Sequence, residues 1–175
     1  MKDIIKPIIV LASICLVVTA LLAYVNKVTA PIITAAEEKA ASDARAEVLK
    51  EAKSYKKLEL KKLPEGVTEV FEGDNNSGYV FMMTQKGYGG DIKLICGIKN
   101  DGTLEAVKTL SHSETSGIGS KVVDNNTGLN QKFAGTKAED QDKVQAISGA
   151  TISSTAYKKA VASAFEAYKL VKEAK

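Results

Sequence analysis

The sequence predicts an α+β fold, with a single N-terminal transmembrane helix followed by one extracytoplasmic domain of antiparallel sheet and flanking helices. Three observations predict it. No residue from Ile8 to Val25 is charged, and nearly all of them are Ile, Val, Leu or Ala. Downstream of Pro64 come four short apolar or alternating runs separated by turn residues. The last segment repeats apolar side chains at helical spacing. At a rise of 1.5 Å per residue, about 20 apolar residues cross the hydrocarbon of a bilayer. Only one stretch of the 175 residues qualifies, so a polytopic membrane protein is excluded and a wholly soluble one disfavoured.

Residues 1–30 read as an uncleaved anchor, with the span at about 8–28. The run is longer than the apolar core of a signal peptide. Val28-Thr29-Ala30 has the small-residue look of a cleavage site, but Pro31 follows at once. Cys15 lies mid-run behind Ile14, unlike a lipoprotein cysteine. Lys2 and Lys6 on the short tail favour a cytoplasmic N-terminus, against the weaker opposing signal of Lys27, and so place the chain in the cell membrane with its domain outside. Residues 31–63 form a juxtamembrane helix and connection. Pro31 marks a break or kink, and the Ala-, Glu- and Lys-rich stretch from Thr34 to about Lys57 predicts a helix. Glu47 near Lys50, and Arg45 near Glu51, suggest a solvated face of mixed charge, on a helix that holds the domain off the membrane or packs on its edge, or else simply connects the two.

The remaining domain, residues 64–175, opens with predicted strands at Val67–Phe71, Tyr79–Thr84, Ile92–Ile98 and Leu104–Leu110. Asn75-Asn76-Ser77-Gly78, Lys86-Gly87-Tyr88-Gly89-Gly90 and Asn100-Asp101-Gly102 separate them, which reads as an antiparallel meander. Val144–Ile147 could add a short strand. From Ser153 onward Tyr157, Val161, Ala164, Phe165 and Tyr168 share one helical face, a stripe suited to core packing.

Charge excludes one class of partner. The net +3 comes from 24 basic and 21 acidic residues. Residues 1–30 hold Lys2, Lys6 and Lys27 against Asp3, so the rest carries 21 basic and 20 acidic. A nucleic-acid surface needs a clustered basic excess, which is missing. Cys15 and Cys96, one in the apolar run and one in a predicted strand, read as small buried hydrophobes rather than a disulfide. Two cysteines and one histidine also make a catalytic zinc or iron–sulfur site unexpected.

Three segments could carry chemistry. Ser148-Gly149-Ala150-Thr151, followed by Ile152-Ser153-Ser154-Thr155, precedes the last helix. Small residues there admit a ligand, and a helix N-terminus offers free N–H groups and a positive dipole end suited to phosphate. The same hydroxyls could simply cap the helix. Ser111-His112-Ser113-Glu114-Thr115-Ser116-Gly117-Ile118-Gly119 holds the lone histidine, two residues from a carboxylate. That arrangement allows an acid–base pair or a loop tied to itself. Lys86-Gly87-Tyr88-Gly89-Gly90 lacks the spacing of either phosphate-loop fingerprint. A serine hydrolase is disfavoured, because no serine sits in a glycine-x-Ser-x-glycine elbow.

One anchor, then KGYGG, HSETSGIG and SGATISS in that order, resembles the G subunit of the Rnf electron-transport complex. The likeness covers essentially the whole chain. The homologous C subunit of the sodium-pumping NADH:quinone reductase shares the flavin motif but is longer. The resemblance implies FMN held by a phosphoester bond to Thr151, made by a dedicated flavin transferase. Ser148, Gly149, Ala150 and Ile152 would form the surrounding turn. His112, Glu114, Thr115, Gly117 and Gly119 would line the flavin site, with Gly87, Tyr88, Gly89 and Gly90 nearby. His112 and Glu114 would shape flavin hydrogen bonding rather than perform acid–base chemistry, so no catalytic residue is expected. Gln145 stands where relatives usually carry an acid. The implied role is an anchored flavoprotein electron carrier. It would work with the other membrane and peripheral Rnf subunits, relaying electrons between ferredoxin and NAD coupled to Na⁺ or H⁺ transport, with little activity alone. Two other readings remain: the FMN-binding domain of another extracytoplasmic reductase, and a non-enzymatic anchored surface or pilin-like protein.

Overall fold

A computed structural model describes residues 2–60 and 62–173, with side chains from Ile5. Lys61 of the expected connection, and Ala174 and Lys175 of the expected last helix, lie outside the described residues. Helix α1 spans Lys2–Val48. The chain divides into two compact units, Met1–Ala40 and Ala41–Lys175. The described part of the first is helix alone, and its apolar side chains are exposed, Leu16 and Ile32 among them. It is the one helix among the described residues long and apolar enough to cross a membrane.

The break expected at Pro31 does not occur, since α1 runs through both Pro7 and Pro31. A proline removes one helical N–H. The strong helix formers around it, Ala30, Ala35, Ala36, Glu37 and Glu38, carry the ladder across the gap. Thr29 and Thr34 donate their hydroxyls to the carbonyls of Val25 and Ala30 at 2.9 and 3.0 Å.

The second unit contains a five-stranded antiparallel meander in the order β1 to β5. The strands are β1 (Tyr55–Leu58), β2 (Val67–Gly73), β3 (Gly78–Lys86), β4 (Asp91–Lys99) and β5 (Leu104–His112). The four expected strands are all present, each longer than predicted. β1 was not expected, because it lies in a stretch with helical composition. Tertiary contacts override that propensity. Leu49 is fully buried against the sheet, and Asp74 accepts the Lys53 N–H at 2.8 Å and the Ser54 hydroxyl at 3.0 Å, turning the chain into strand pairing. The short strand expected at Val144–Ile147 is also absent. There Val144 is buried, and Ile147 gives its N–H to the Ser154 hydroxyl at 3.0 Å rather than to a ladder.

Alternation along the strands separates two cores. Tyr79, Phe81 and Met83 of β3, with Ile92, Leu94, Cys96 and Ile98 of β4, face one side. Helix α4 (Thr151–Glu173) covers them with Tyr157, Val161, Ala164 and Phe165, as its spacing predicts; α4 starts two residues earlier than expected. Short helices α2 (Ser120–Val123) and α3 (Asn130–Phe133) complete this layer. Val80 and Ile95 face the other side, against Ala44, Val48 and Leu49 at the end of α1. This end of α1 therefore packs on the domain through its apolar face, while its charged face stays largely in solvent. Charges at and just after this end reach the sheet: Glu47 pairs with Lys108 at 2.6 Å, Glu51 with Lys99 at 3.3 Å, and Arg45 stacks 4.0 Å over Phe71.

The outer edge of β5 is covered. Asn125 accepts the Thr109 N–H at 2.7 Å and donates to the Thr109 carbonyl at 2.9 Å, so one side chain stands in for a sixth strand. Leu104 is matched likewise by Gly135 and Thr136. Cys96 is fully buried, whereas Cys15 lies exposed on α1 within the apolar run; both thiols are free.

Candidate functional site

The β3–β4 connection is a tight turn closed by the Gly87 N–H on the Gly90 carbonyl at 2.8 Å. It lies flat on the segment that follows β5. A Cβ on Gly89 would meet the Ser113 carbonyl oxygen and Glu114 Cα, and one on Gly90 would meet Ser113. Gly89 is needed because two backbones touch there, and Gly90 because it sits against the Ser113 side chain.

Glu114 is the centre of that contact. It is only 7% exposed. One carboxylate oxygen accepts the Gly89 N–H at 3.2 Å and the other accepts the Ser153 hydroxyl at 2.5 Å. A Cβ on Gly87 or on Gly119 would strike the same carboxylate. The Glu114 N–H in turn bonds His112 Nδ1 at 3.2 Å, with the imidazole itself exposed. One carboxylate therefore joins all three segments singled out in the sequence: the glycine turn, the His112–Gly119 loop and the start of α4.

The start of α4 is shaped by Gly149, whose φ of +81° is one that side-chain-bearing residues rarely adopt. Ala150 closes the turn on the Ile147 carbonyl at 3.1 Å and is buried. Thr151 then opens the helix, exposed. The hydroxyls after it fall into two groups. Ser153 and Ser154 are buried and bonded to Glu114 and Ile147, while Thr155 is exposed. Ser148 is exposed before the turn. Thr151 is thus a free hydroxyl where the first N–H groups of a 23-residue helix are unpaired.

In the second segment Thr115 and Gly117 are exposed, and the Gly117 N–H is held by the Ser120 hydroxyl at 2.9 Å. Among the described residues after Ala40, the large hydrophobics counted as exposed are Tyr88 (71%), Ile118 (56%), Ile152 (58%) and Leu170. The first three adjoin Gly89, Gly119 and Ser153, the residues gathered at Glu114. Exposed apolar side chains next in the chain to the residues gathered at Glu114, together with an exposed hydroxyl at a helix N-terminus, suit a ligand such as FMN, which has a flat aromatic ring system and an anionic phosphate. Ile118 and Ser153 are the residues missed by sequence reasoning. The available signal for Ile118 was an aliphatic residue between two glycines. Gln145 lies elsewhere, lining a surface cavity of about 480 Å³ with Lys132, Thr136 and Lys143. No group of three His, Cys, Asp or Glu suited to a metal ion occurs among the described residues.

Comparison with known proteins gives this geometry a context. Residues 87–166, which contain the Gly87–Gly90 turn, the His112–Gly119 loop and the start of α4, match the FMN-binding domain family. Residues 1–48 match the RnfG N-terminal region, ending where α1 ends. The chain is 30% identical to the G subunit of the Na(+)-translocating ferredoxin:NAD(+) oxidoreductase complex of Acetobacterium woodii, over 91% of this chain and 89% of the relative. It belongs to the Rnf G-subunit family. A second member of that family, the G subunit of the proton-translocating ferredoxin:NAD(+) oxidoreductase complex of Clostridium ljungdahlii, is 28% identical over 87% of this chain and 84% of its own length. The G subunit of an ion-translocating oxidoreductase complex from Shewanella oneidensis is 41% identical over a shorter stretch, 43% of this chain and 41% of its own. Family membership sets aside the pilin-like reading.

Proposed function

We propose that this Rnf G-type subunit is a membrane-anchored electron carrier whose FMN is esterified through its phosphate to the Thr151 hydroxyl, in an ion-translocating ferredoxin:NAD oxidoreductase complex. The observation that carries the reading is Thr151 itself: an exposed hydroxyl opening α4, within the stretch matched to the FMN-binding domain family. FMN supplies redox chemistry in one- or two-electron steps, and the protein supplies attachment, orientation and surroundings.

Each part of the chain has a task in this reading. The unpaired N–H groups and positive dipole end of α4 stabilise a phosphate on Thr151. Tyr88, Ile118 and Ile152 offer apolar surface to the ring system. Gly149 holds the turn that presents the hydroxyl. Ser153 and Ser154 are already bonded within the core, which leaves Thr151 as the reachable acceptor on the helix's first turn. Attachment needs a flavin transferase, and electron delivery needs the other Rnf subunits. The lysines before the span favour a cytoplasmic N-terminus and a domain on the outer side of the cell membrane.

Coexpression of the full chain with a flavin transferase, followed by intact-mass spectrometry, tests attachment. The expected result is a gain of one FMN that disappears in Thr151→Ala and persists in Thr155→Ala. An unchanged adduct in Thr151→Ala removes the assignment. Protease added outside right-side-out vesicles should cleave the domain; protection there and cleavage only after the vesicles are opened reverses the orientation.

A further inference from the structure

Both oxygens of the Glu114 carboxylate accept hydrogen bonds from groups of the protein. Gly89 N–H takes one oxygen, the Ser153 hydroxyl takes the other, and Gly87 and Gly119 leave no room for a side chain against it. The residue is nearly buried, so its oxygens are not presented to a ligand beside Thr151. Ser153 lies two residues beyond Thr151 on the first turn of α4, and Gly89 follows the exposed Tyr88. We propose that Glu114 is a positioning residue, a clasp that fixes the start of α4 and the Gly87–Gly90 turn against the His112–Gly119 loop. It thereby sets where Thr151 and Tyr88 stand, without itself touching the flavin. This rests on the reading of Thr151 as the flavin acceptor.

The chemistry of the clasp makes a discriminating prediction. A carboxylate here only accepts hydrogen bonds. Glutamine can accept from Gly89 N–H with its carbonyl oxygen and donate to the Ser153 oxygen with its amide, keeping both links with one reversed. Glu114→Gln should therefore preserve the clasp. Glu114→Leu, similar in size but with no polar atom, should open it, and Ser153→Ala should release the helix side alone. If Glu114 instead served the flavin through its charge, Gln and Leu would be equally damaging.

The first arm needs no flavin. In full-length protein made without transferase, amide hydrogen exchange is followed at Gly87–Gly90 and Ala150–Thr155. Exchange should quicken at least tenfold in both segments for Glu114→Leu, at Ala150–Thr155 for Ser153→Ala, and less than threefold for Glu114→Gln. The second arm adds transferase and reads the initial rate of FMN attachment and the visible circular dichroism of the attached flavin. Val70→Ala, a buried change in β2, serves as a general destabiliser. Glu114→Leu and Ser153→Ala should slow attachment and alter the dichroism, while Glu114→Gln and Val70→Ala keep the wild-type band. Exchange in Glu114→Gln as fast as in Glu114→Leu, or wild-type exchange in both Glu114→Leu and Ser153→Ala, overturns the proposal. If Glu114→Leu does not fold, Ser153→Ala against Glu114→Gln decides by the same criteria. Absence of FMN on wild-type protein would reject the Thr151 reading alone, because the exchange arm still judges the clasp.

Discussion

Alanine at Gly89 and at Gly117 should fail for different reasons, and the difference can be measured. At Gly89 the obstacle is contact, since a Cβ would run into the Ser113 carbonyl oxygen and Glu114 Cα, both backbone atoms. Overpacking of that kind costs about 1–3 kcal/mol. The shift also pulls the Gly89 N–H from the Glu114 carboxylate, a charge-assisted bond of about 1.5–3 kcal/mol. Together they come to about 2–5 kcal/mol, allowing for incomplete loss of both. At Gly117 the Cβ meets nothing within 4 Å, and the only cost is its φ of +85°. For alanine that is about 1–2 kcal/mol. A unit of this size loses about 3–5 °C of melting temperature per kcal/mol. Gly89→Ala should then melt roughly 6–25 °C below wild type and Gly117→Ala about 3–10 °C below. Asparagine decides the mechanism, because it tolerates positive φ but is larger than alanine. Gly117→Asn should recover much of the loss, whereas Gly89→Asn should be worse than Gly89→Ala. Thermal unfolding of the full chain in detergent, followed by circular dichroism, reads all four. Recovery by asparagine at Gly89 would refute the argument that the turn is pressed onto the Glu114 backbone.

Other consequences are simpler to check. Asn125→Ala strips the Thr109 N–H and carbonyl of their partners and should cost about 2 kcal/mol in a urea titration; no change would mean that water replaces the side chain freely. Asp74, Asp101 and Asp124 are held below the ordinary carboxylate value of 3.8 chiefly by backbone N–H donors, from Lys53, from Thr103, and from Asn126 with Thr127 respectively. A lowered folded-state value gives stability that is complete above the unfolded value and lost as pH falls through the folded one. The urea midpoint should therefore drop between pH 5 and pH 3, and Asp74→Asn should flatten that drop; an unaltered slope removes Asp74 from the account. Burial pushes the Cys96 thiol well above its usual range. In a Cys15→Ser background, a maleimide at pH 8 should leave folded protein unmodified and label it in denaturant.

The parts of the fold carried by local chemistry were legible in the sequence. Glycine and asparagine turns delimited β2 to β5, and the stripe from Tyr157 to Tyr168 marked the buried face of α4. What escaped depended on distant partners. β1 has a helical composition and becomes a strand because Leu49 is drawn into the sheet and Asp74 captures Lys53 and Ser54. Pro31 looked like a stop, but one missing N–H does not outweigh the helix formers on either side. Val144–Ile147 has strand composition but no strand to pair with. The three motifs of the candidate site were visible one by one, and so was the position of Thr151 at the start of a helix. That Glu114 binds to Gly89 and Ser153, 25 and 39 residues away, could not be read from spacing.

The openness of the surface around Thr151 has a consequence for how tightly a cofactor must be gripped there. A diffusible flavin in a dilute medium demands a deep, high-affinity pocket, whereas Tyr88, Ile118 and Ile152 stand largely in solvent. With the proposed attachment at Thr151, a short covalent leash would change the requirement, because the ring system would then face its resting place at an effective concentration of about millimolar. Contacts too weak to retain a free ligand suffice to seat a leashed one. On that proposal the exposed face could stay shallow, letting a redox partner approach the ring closely without the protein giving up its cofactor.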